Sequence, residues 1–207
     1  MPVNRARATA SERPRPDWPV GTVTAAGLLV SAYLTATKLL AARVAFCEAG
    51  GGCEIVQASR YAWFLGLPTA AWGVVFFAAV GALALLGLSP RRWLWAFGVA
   101  VSGVAFVGYL TWIELGVLRA VCGWCLTVAV LAVATLGALL WRRPPVTGRR
   151  SPVRPARLAT LGVTLAVVTV IGAVGGHVQL TGAPGSRENV LARHLTATGA
   201  IFYGAYW

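Results

Sequence analysis

Hydrophobic residues occur in five long runs that contain no Asp, Glu, Lys or Arg. The runs are Trp18–Thr37, Tyr61–Pro90, Trp93–Ile113, Ala120–Trp141 and Leu158–Ser186, each 20 to 30 residues long. About 20 helical residues cross the hydrocarbon core of a membrane. The pattern therefore predicts an all-α integral membrane protein with five transmembrane helices.

The composition excludes two other classes of protein. Of the 207 residues, 57% are hydrophobic and only 12% are charged, whereas about 25% are charged in soluble domains. A water-soluble globular domain and a disordered chain are both excluded, because neither class combines so little charge with so much apolar surface.

The net charge of +12 is distributed unevenly between the two sides of these segments. With a cytoplasmic N-terminus, the inner segments carry twelve arginines against Glu12 and Asp17, and the outer segments carry six cations against four carboxylates. This asymmetry follows the positive-inside rule. It predicts a multi-pass protein of a bacterial inner membrane, with its C-terminus in the periplasm. Membrane lipid is the expected partner of the arginines, and no nucleic-acid partner is expected, because the arginine runs lack interleaved aromatic residues.

These segments divide the chain into five parts. They are a cytoplasmic Arg- and Pro-rich tail (1–17), the first four spans (18–141), a cytoplasmic linker (142–157), a fifth transmembrane helix (158–179) and a periplasmic tail (180–207). Within the first part of the membrane region we expect a helix over Gly21–Val44, a short amphipathic helix over Glu54–Phe64, and a second span that starts after Pro68.

All four cysteines are predicted to lie at the outer membrane face, in an oxidising compartment. Cys122-Gly-Trp-Cys125 opens a helix, so both sulfurs lie on one face and the first-turn amides favour a thiolate. Cys47 and Cys53 flank a triple-glycine loop, which allows a disulfide between them and also lets either sulfur reach another partner.

Three interpretations of these cysteines remain open: two structural disulfides, a four-thiolate zinc centre, and a thiol relay. A structural bridge adds little to a bundle that its spans already hold, and no histidine lies near the cysteines in the sequence. The spacing therefore favours the relay. A non-catalytic membrane scaffold with inert disulfides is the alternative function.

The spacing of the cysteines and of several residues between them resembles the vitamin K epoxide reductase family. The resemblance covers about Val20 to Trp141. It rests on Cys47-x5-Cys53, on Ser59, Gly66, Pro68 and Gly73 after it, and on Cys122-x2-Cys125 at the start of the fourth helix. It implies a bacterial enzyme that makes disulfides by passing electrons to a quinone. It also implies a four-helix bundle around the quinone, with a fifth helix leading to an exported thioredoxin-like domain.

The resemblance also implies a role for each cysteine. Cys125 would be the sulfur nearest the quinone, with Cys122 as its disulfide partner. Cys53 would attack that disulfide, and Cys47 would exchange with a periplasmic thioredoxin-like protein or fused domain. The electron acceptor would be ubiquinone or menaquinone.

Other residues are candidates for the quinone pocket or for its architecture. Ser59 would lie near the quinone carbonyls, or alternatively would cap a surface helix. Trp72 is expected to line the pocket or to serve packing alone. Gly66, Pro68 and Gly73 are expected to permit the turn back into the membrane and close helix packing.

Two positions depart from the vertebrate members of the family. Those members have a tyrosine four residues after the last cysteine and an asparagine before the second helix, where this chain has Ala129 and Thr69. Thr69 is the nearest equivalent of that asparagine in the pocket. Ordinary quinone reduction is therefore expected rather than epoxide chemistry.

The last predictions concern two histidines, one glutamate and the C-terminal segment. His177 and His194 are expected to be interfacial or solvated. Glu114 is expected to be a boundary carboxylate that reaches the membrane surface, with tuning of a thiol or proton uptake as the alternative. Ala200–Trp207 resembles the strand that leads into a thioredoxin-like domain. We expect either a membrane module cut from such a fusion or a short form with a separate partner.

Overall fold

The computed structural model describes residues 16–48, 50–145, 153–182 and 194–198. The predicted N-terminal tail up to residue 15, the middle of the predicted linker and the predicted C-terminal strand lie outside the described residues. The described helices are α1 (Trp18–Leu39), α2 (Gly52–Ala58), α3 (Thr69–Leu85), α4 (Pro90–Trp112), α5 (Gly123–Trp141) and α6 (Pro155–Gly182). A 3-10 turn (Arg60–Ala62), a π-helical turn (Ile113–Val117) and one helical turn over residues 194–197 are also described.

Four of these helices are long and apolar enough to cross a membrane: α1, α4 with its π turn, α5 and α6. Helix α3 is equally apolar but has 17 residues, slightly fewer than the usual span. The predicted all-α membrane fold is confirmed. The second predicted span is shorter than its uncharged sequence because the flanking residues 61–68 form a turn and a hairpin instead.

Small residues bring α1 and α3 into close contact. A Cβ atom on Gly73 would lie 2.7 Å from Ser31 Oγ, and one on Gly81 would lie 3.0 Å from Thr24 Oγ1. Close backbone approach at small residues is a common way for helices to pack within lipid. The expectation that Gly73 permits close helix packing is confirmed.

Helix α4 occupies the centre of the arrangement. It packs against α3, α5 and α6, and α1 packs against α3 and α5. At the end of the bundle opposite to the cysteines, Trp93 is fully buried and its Nε1 donates a hydrogen bond to the carbonyl of Leu139 at 2.8 Å. There, Arg142 Nε also lies 2.8 Å from the Asp17 carboxylate. These contacts join the ends of α1, α4 and α5.

The chain between α1 and α3 differs from the sequence prediction. Helix α1 ends at Leu39 rather than Val44, and α2 covers Gly52–Ala58 rather than Glu54–Phe64. The loop after α1 folds back, because the Ala45 amide donates to the Tyr33 hydroxyl and Trp124 Nε1 donates to the Ala45 carbonyl, both at 2.8 Å. Such long-range bonds leave no periodic trace in the sequence.

A two-residue β-hairpin leads into α3. Strands β1 (Trp63–Phe64) and β2 (Leu67–Pro68) pair antiparallel, with Phe64 opposite Leu67. Gly66 has φ +81° in the connecting turn, a conformation that glycine adopts without steric cost. The architectural role expected of Gly66 is confirmed.

Candidate redox site

The four cysteines form two adjacent pairs at one end of the bundle. Cys47 and Cys53 form a disulfide, and Cys122 and Cys125 are free thiols. The Sγ atoms of Cys53 and Cys122 are 3.8 Å apart. The structure thus places one sulfur of the loop pair against one sulfur of the helix pair.

Glycine at position 52 makes this approach possible. A Cβ atom at Gly52 would lie 2.7 Å from both the amide nitrogen and the carbonyl oxygen of Val121, closer than side-chain carbons approach backbone. The start of α2 can therefore lie directly on the chain that carries Cys122. The sequence indicated that the three consecutive glycines are flexible, but it did not reveal that Gly52 must be small to fit against Val121.

Cys122 is the N-cap residue of α5. The Cys125 amide donates a hydrogen bond to Cys122 Sγ at 3.4 Å. A hydrogen bond from the Cys125 thiol, together with amides of the first turn, lowers the pKa of Cys122 to about 7, although burial and the nearby Glu114 carboxylate oppose this change. A substantial fraction of Cys122 is therefore thiolate near neutral pH when the pair is reduced.

Glu114 is a buried component of the site. It is only 3% exposed, and its carboxylate accepts a hydrogen bond from the Cys122 amide. Glu114 lies in the π turn, and its backbone carbonyl also accepts a hydrogen bond from the Ala120 amide at 3.1 Å. The expectation that Glu114 reaches the membrane surface is wrong, because the chain after α4 turns inward over it. The one feature of the sequence that indicated a contact with Cys122 was the position of Glu114, eight residues before it.

Three of these groups are close enough to hold a metal ion. One carboxylate oxygen of Glu114 and the sulfurs of Cys122 and Cys125 lie within 4.8 Å of one another. Cys47 and Cys53 are bonded to each other, so the described cysteines do not form a four-thiolate centre in this structure.

An apolar cavity of about 720 Å³ lies beside the thiol pair. Cys125 and Glu114 line it, as do the three predicted pocket residues Ser59, Thr69 and Trp72. Of the two free thiols, Cys125 borders the cavity. The volume of the cavity is typical of a site for a small organic molecule, and its walls are mainly apolar.

The three predicted pocket residues also donate hydrogen bonds to nearby backbone carbonyls. The Ser59 hydroxyl donates to the Val56 carbonyl at 2.7 Å, and the Thr69 hydroxyl donates to the Ala62 carbonyl at 3.2 Å. Trp72 Nε1 donates to the Phe64 carbonyl at 3.2 Å. Ser59 is the C-cap residue of α2 and also lines the cavity.

His177 lies in an aromatic cluster rather than in solvent. It is 6% exposed, and its ring centroid lies 5.1 Å from that of Phe64, 5.4 Å from Tyr61 and 5.7 Å from Tyr109. The expectation that His177 is solvated is wrong, because the hairpin before α3 covers this part of α6. His194, in contrast, is exposed.

Comparison with known proteins identifies the fold that carries this site. The thiol-disulfide oxidoreductase LTO1 of Arabidopsis thaliana is 28% identical over 206 aligned positions, which include 87% of this chain and 54% of that protein. The chain thus spans about half the length of the curated relative it matches. Residues 18–141, which hold all four cysteines and helices α1 to α5, match the vitamin K epoxide reductase family. The chain belongs to the vitamin K epoxide reductase family.

Proposed function

We propose that this protein is a quinone-dependent thiol oxidoreductase that generates disulfides, with residues 18–141 as its catalytic unit. The observation that carries the proposal is the 3.8 Å contact between Cys53 and Cys122 beside a cavity that Cys125 lines. Membership of the family and similarity to a protein named a thiol-disulfide oxidoreductase support it.

The first step transfers two electrons between the cysteine pairs. The Cys53 thiolate attacks Sγ of Cys122 in a Cys122–Cys125 disulfide, which forms a Cys53–Cys122 bond and releases the Cys125 thiolate. The Cys47 thiolate then attacks Cys53, which forms the Cys47–Cys53 disulfide and releases the Cys122 thiolate. Each step is a thiol–disulfide exchange in which one S–S bond forms and one breaks.

The low pKa of Cys122 favours this direction of electron flow. In exchange, the sulfur with the lower pKa leaves faster, and the pKa of Cys122 is lowered to about 7 by the Cys125 thiol and the first turn of α5. The outer pair is oxidised and the inner pair is reduced in this structure, which is the pairing that this transfer would leave.

A membrane quinone, either ubiquinone or menaquinone, supplies the chemistry that restores the inner disulfide, since it accepts two electrons and two protons. Cys125 would present its sulfur to the ring, and Ser59, Thr69 and Trp72 would shape the pocket around it. Glu114 contacts Cys122 and lines the same cavity. Its carboxylate would receive a proton from the thiol pair and pass it toward the cavity.

The donor of electrons would be a thioredoxin-like protein or a domain that follows α6. Cys47 is the cysteine of the outer pair that does not contact Cys122, so it would exchange with that donor. We place the four cysteines in the periplasm of a bacterium and the N-terminus in the cytoplasm, because most arginines flank the opposite ends of the helices.

A coupled assay tests the function directly. Purified protein in lipid nanodiscs is mixed with a reduced thioredoxin-like dithiol and a quinone, and quinol formation is followed spectroscopically. We expect turnover in the wild-type protein and in Thr127→Ala, an exposed position on α5, and none in Cys125→Ala. Activity that survives Cys125→Ala, or a wild-type protein that reduces no quinone, would reject the relay in favour of a scaffold.

A further inference from the structure

The inner cysteines and one carboxylate form a compact set of metal-binding atoms at the start of α5. The sulfurs of Cys122 and Cys125 and an oxygen of Glu114 lie within 4.8 Å of one another. Thiolate and carboxylate are both ligands of Zn²⁺, with bonds of about 2.0 to 2.3 Å. Movements of about 1 Å, within reach of side-chain rotation, would bring all three atoms onto one ion.

A third sulfur lies at the spacing that a tetrahedral zinc ion imposes. Zn–S bonds are about 2.3 Å long, so two sulfurs on one tetrahedral ion lie roughly 3.8 Å apart. The sulfurs of Cys53 and Cys122 are 3.8 Å apart. Cys53 is bonded to Cys47 in this structure, and the thiolate is the form that binds metal. Reduction of the outer pair would therefore present a fourth ligand beside the other three.

Hydrogen bonds already orient these atoms in the way that they orient zinc ligands. The Cys125 amide donates to Cys122 Sγ at 3.4 Å, and the Cys122 amide donates to the Glu114 carboxylate. Such bonds fix the direction of metal ligands and strengthen metal binding. Glu114 is 3% exposed and Cys122 is fully buried. The packed fold therefore holds both ligands, which distinguishes them from flexible side chains at a surface.

Charge also favours a cation at this position. Glu114 and the two ionised inner thiols would place three negative charges within 4.8 Å of one another, and like charges this close repel strongly in a partly buried site. Zn²⁺ compensates two of these charges, and its binding releases the thiol protons. Cys125 is only partly buried and lines the cavity, so an ion can approach the site from that side.

From this arrangement we propose that Zn²⁺ binds the reduced protein at Cys122, Cys125 and Glu114, with Cys53 as the fourth ligand once the outer pair is also reduced. The bound ion occupies the lone pairs with which these sulfurs attack, so it arrests the protein in its reduced state. Transfer of two electrons to the proposed acceptor joins Cys122 to Cys125 in a disulfide, which removes two ligands and releases the ion. The site goes beyond the proposed function, because metal binding requires neither a quinone nor a thiol donor.

Metal titration of the wild-type protein in nanodiscs tests the site without any substitution. Protein with all four cysteines reduced is freed of excess reductant and titrated with Zn²⁺ by calorimetry and with Co²⁺ by visible absorption. We expect one ion per chain and the spectrum of tetrahedral cobalt with sulfur ligands. Protein with both disulfides formed should give neither signal. Reduced protein that binds no metal, or oxidised protein that binds it equally well, would overturn the proposal.

A pair of glutamate variants tests the carboxylate ligand. Glu114→Gln keeps an oxygen for the Cys122 amide but lacks the charged carboxylate. We expect its Kd for Zn²⁺ to rise by at least about tenfold, since even residues that only orient a ligand contribute that much. Glu48→Gln changes an exposed carboxylate in the loop beside Cys47 and should bind zinc as the wild-type protein does. Equal Kd values for the two variants would overturn the proposed ligand set.

The outer cysteines provide a matched pair for the fourth ligand. Cys47→Ala leaves Cys53 free beside Cys122, whereas Cys53→Ala removes the sulfur that contacts Cys122. In the fully reduced proteins, we expect Zn²⁺ to bind Cys47→Ala at least about tenfold more tightly than Cys53→Ala. Equal affinities would overturn the role of Cys53.

The metal site and the proposed function can fail separately. A wild-type protein that binds one zinc ion when reduced, but reduces no quinone in metal-free buffer, would support the site and reject the proposed function. A protein that reduces quinone at an unchanged rate with excess Zn²⁺ present, and binds none when reduced, would reject the site alone.

Discussion

The sulfur of Cys53 lies 3.8 Å from the sulfur of Cys122, although 69 residues separate them in the chain. Cys53 is the second residue of α2, and Cys122 caps the first turn of α5. The two elements meet at Gly52 and Val121. We expect this contact to favour a Cys53–Cys122 mixed disulfide, and several predictions depend on it.

Trapping experiments should capture a Cys53–Cys122 bridge. The double variant Cys47→Ala/Cys125→Ala retains only these two thiols, which already lie in contact, so a disulfide between them should form readily on mild oxidation. Peptide mapping under non-reducing conditions measures it. The matched variant Cys53→Ala/Cys125→Ala leaves Cys47 and Cys122 and should form little intramolecular bridge. Equal bridging in both variants would contradict the assigned order of exchange.

Substitution of Gly52 should separate the two cysteine pairs. In Gly52→Ala the new methyl group meets the backbone of Val121, so α2 must move and Cys53 must withdraw from Cys122. We expect exchange between the pairs to slow by about tenfold or more, because thiol attack depends strongly on position. Stopped-flow measurement of exchange checks this.

The control for Gly52→Ala is Gly123→Ala, which adds the same methyl group next to Cys122, where no atom beyond its chain neighbours and the backbone of its own helix turn lies within 4 Å. Exchange in Gly123→Ala should remain near the wild-type rate. If exchange between the cysteine pairs slowed in Gly123→Ala but not in Gly52→Ala, the contact of residue 52 with Val121 would be unimportant.

The Cys122 thiol should titrate near neutrality. In Cys47→Ala/Cys53→Ala with the inner pair reduced, thiolate absorbance in the ultraviolet should rise with a midpoint near the pKa of about 7. The thiol is protonated below this pH and ionised above it. In that background, Cys125→Ala removes the donated hydrogen bond and should move the midpoint upward, whereas Cys125→Ser keeps a donor and should move it less. If Cys125→Ala and Cys125→Ser gave the same midpoint, the hydrogen bond from Cys125 would not be the cause of the low pKa.

Replacement of Glu114 should affect quinone reduction more than exchange between the cysteines. Glu114→Gln keeps an oxygen that can accept the Cys122 amide but cannot take up a proton at neutral pH. We expect oxidation of the reduced inner pair by quinone to slow by at least about a hundredfold, the low end for loss of a general base or acid. Single-turnover experiments separate this step from exchange with Cys47 and Cys53. A variant with unchanged quinone reduction would assign Glu114 a structural role only.

The ion pair between Asp17 and Arg142 should stabilise the end of the bundle opposite to the cysteines. The Asp17 side chain is 7% exposed and that of Arg142 is 52% exposed, so Arg142→Ala leaves a buried carboxylate without this partner. We expect a loss of about 1–2 kcal/mol in unfolding free energy, because solvent screens the exposed partner. Thermal unfolding in detergent measures it against Arg91→Ala, at an exposed position. Equal Tm values for the two variants would show that the pair contributes nothing.

Prediction from the sequence succeeded where a residue's role depends on its immediate neighbours. The uncharged runs located the membrane helices, and the turn at Gly66 and the close packing at Gly73 were expected from the motif. Prediction failed for Glu114 and His177. Each is a polar residue near the end of an apolar run, and hydropathy alone assigns such residues to the membrane surface.

The sequence by itself determined an all-α membrane protein, because long runs without charge have few other stable states in water or lipid. It also determined that four cysteines lie outside or at the ends of those runs. Only the tertiary structure decided that Cys53 faces Cys122, that Glu114 lies under the thiols, and that α6 borders the cavity. Those relationships depend on how the loop after α1, the π turn and the last helix pack on the bundle. Such packing is set by contacts between residues far apart in the chain, which no local pattern records.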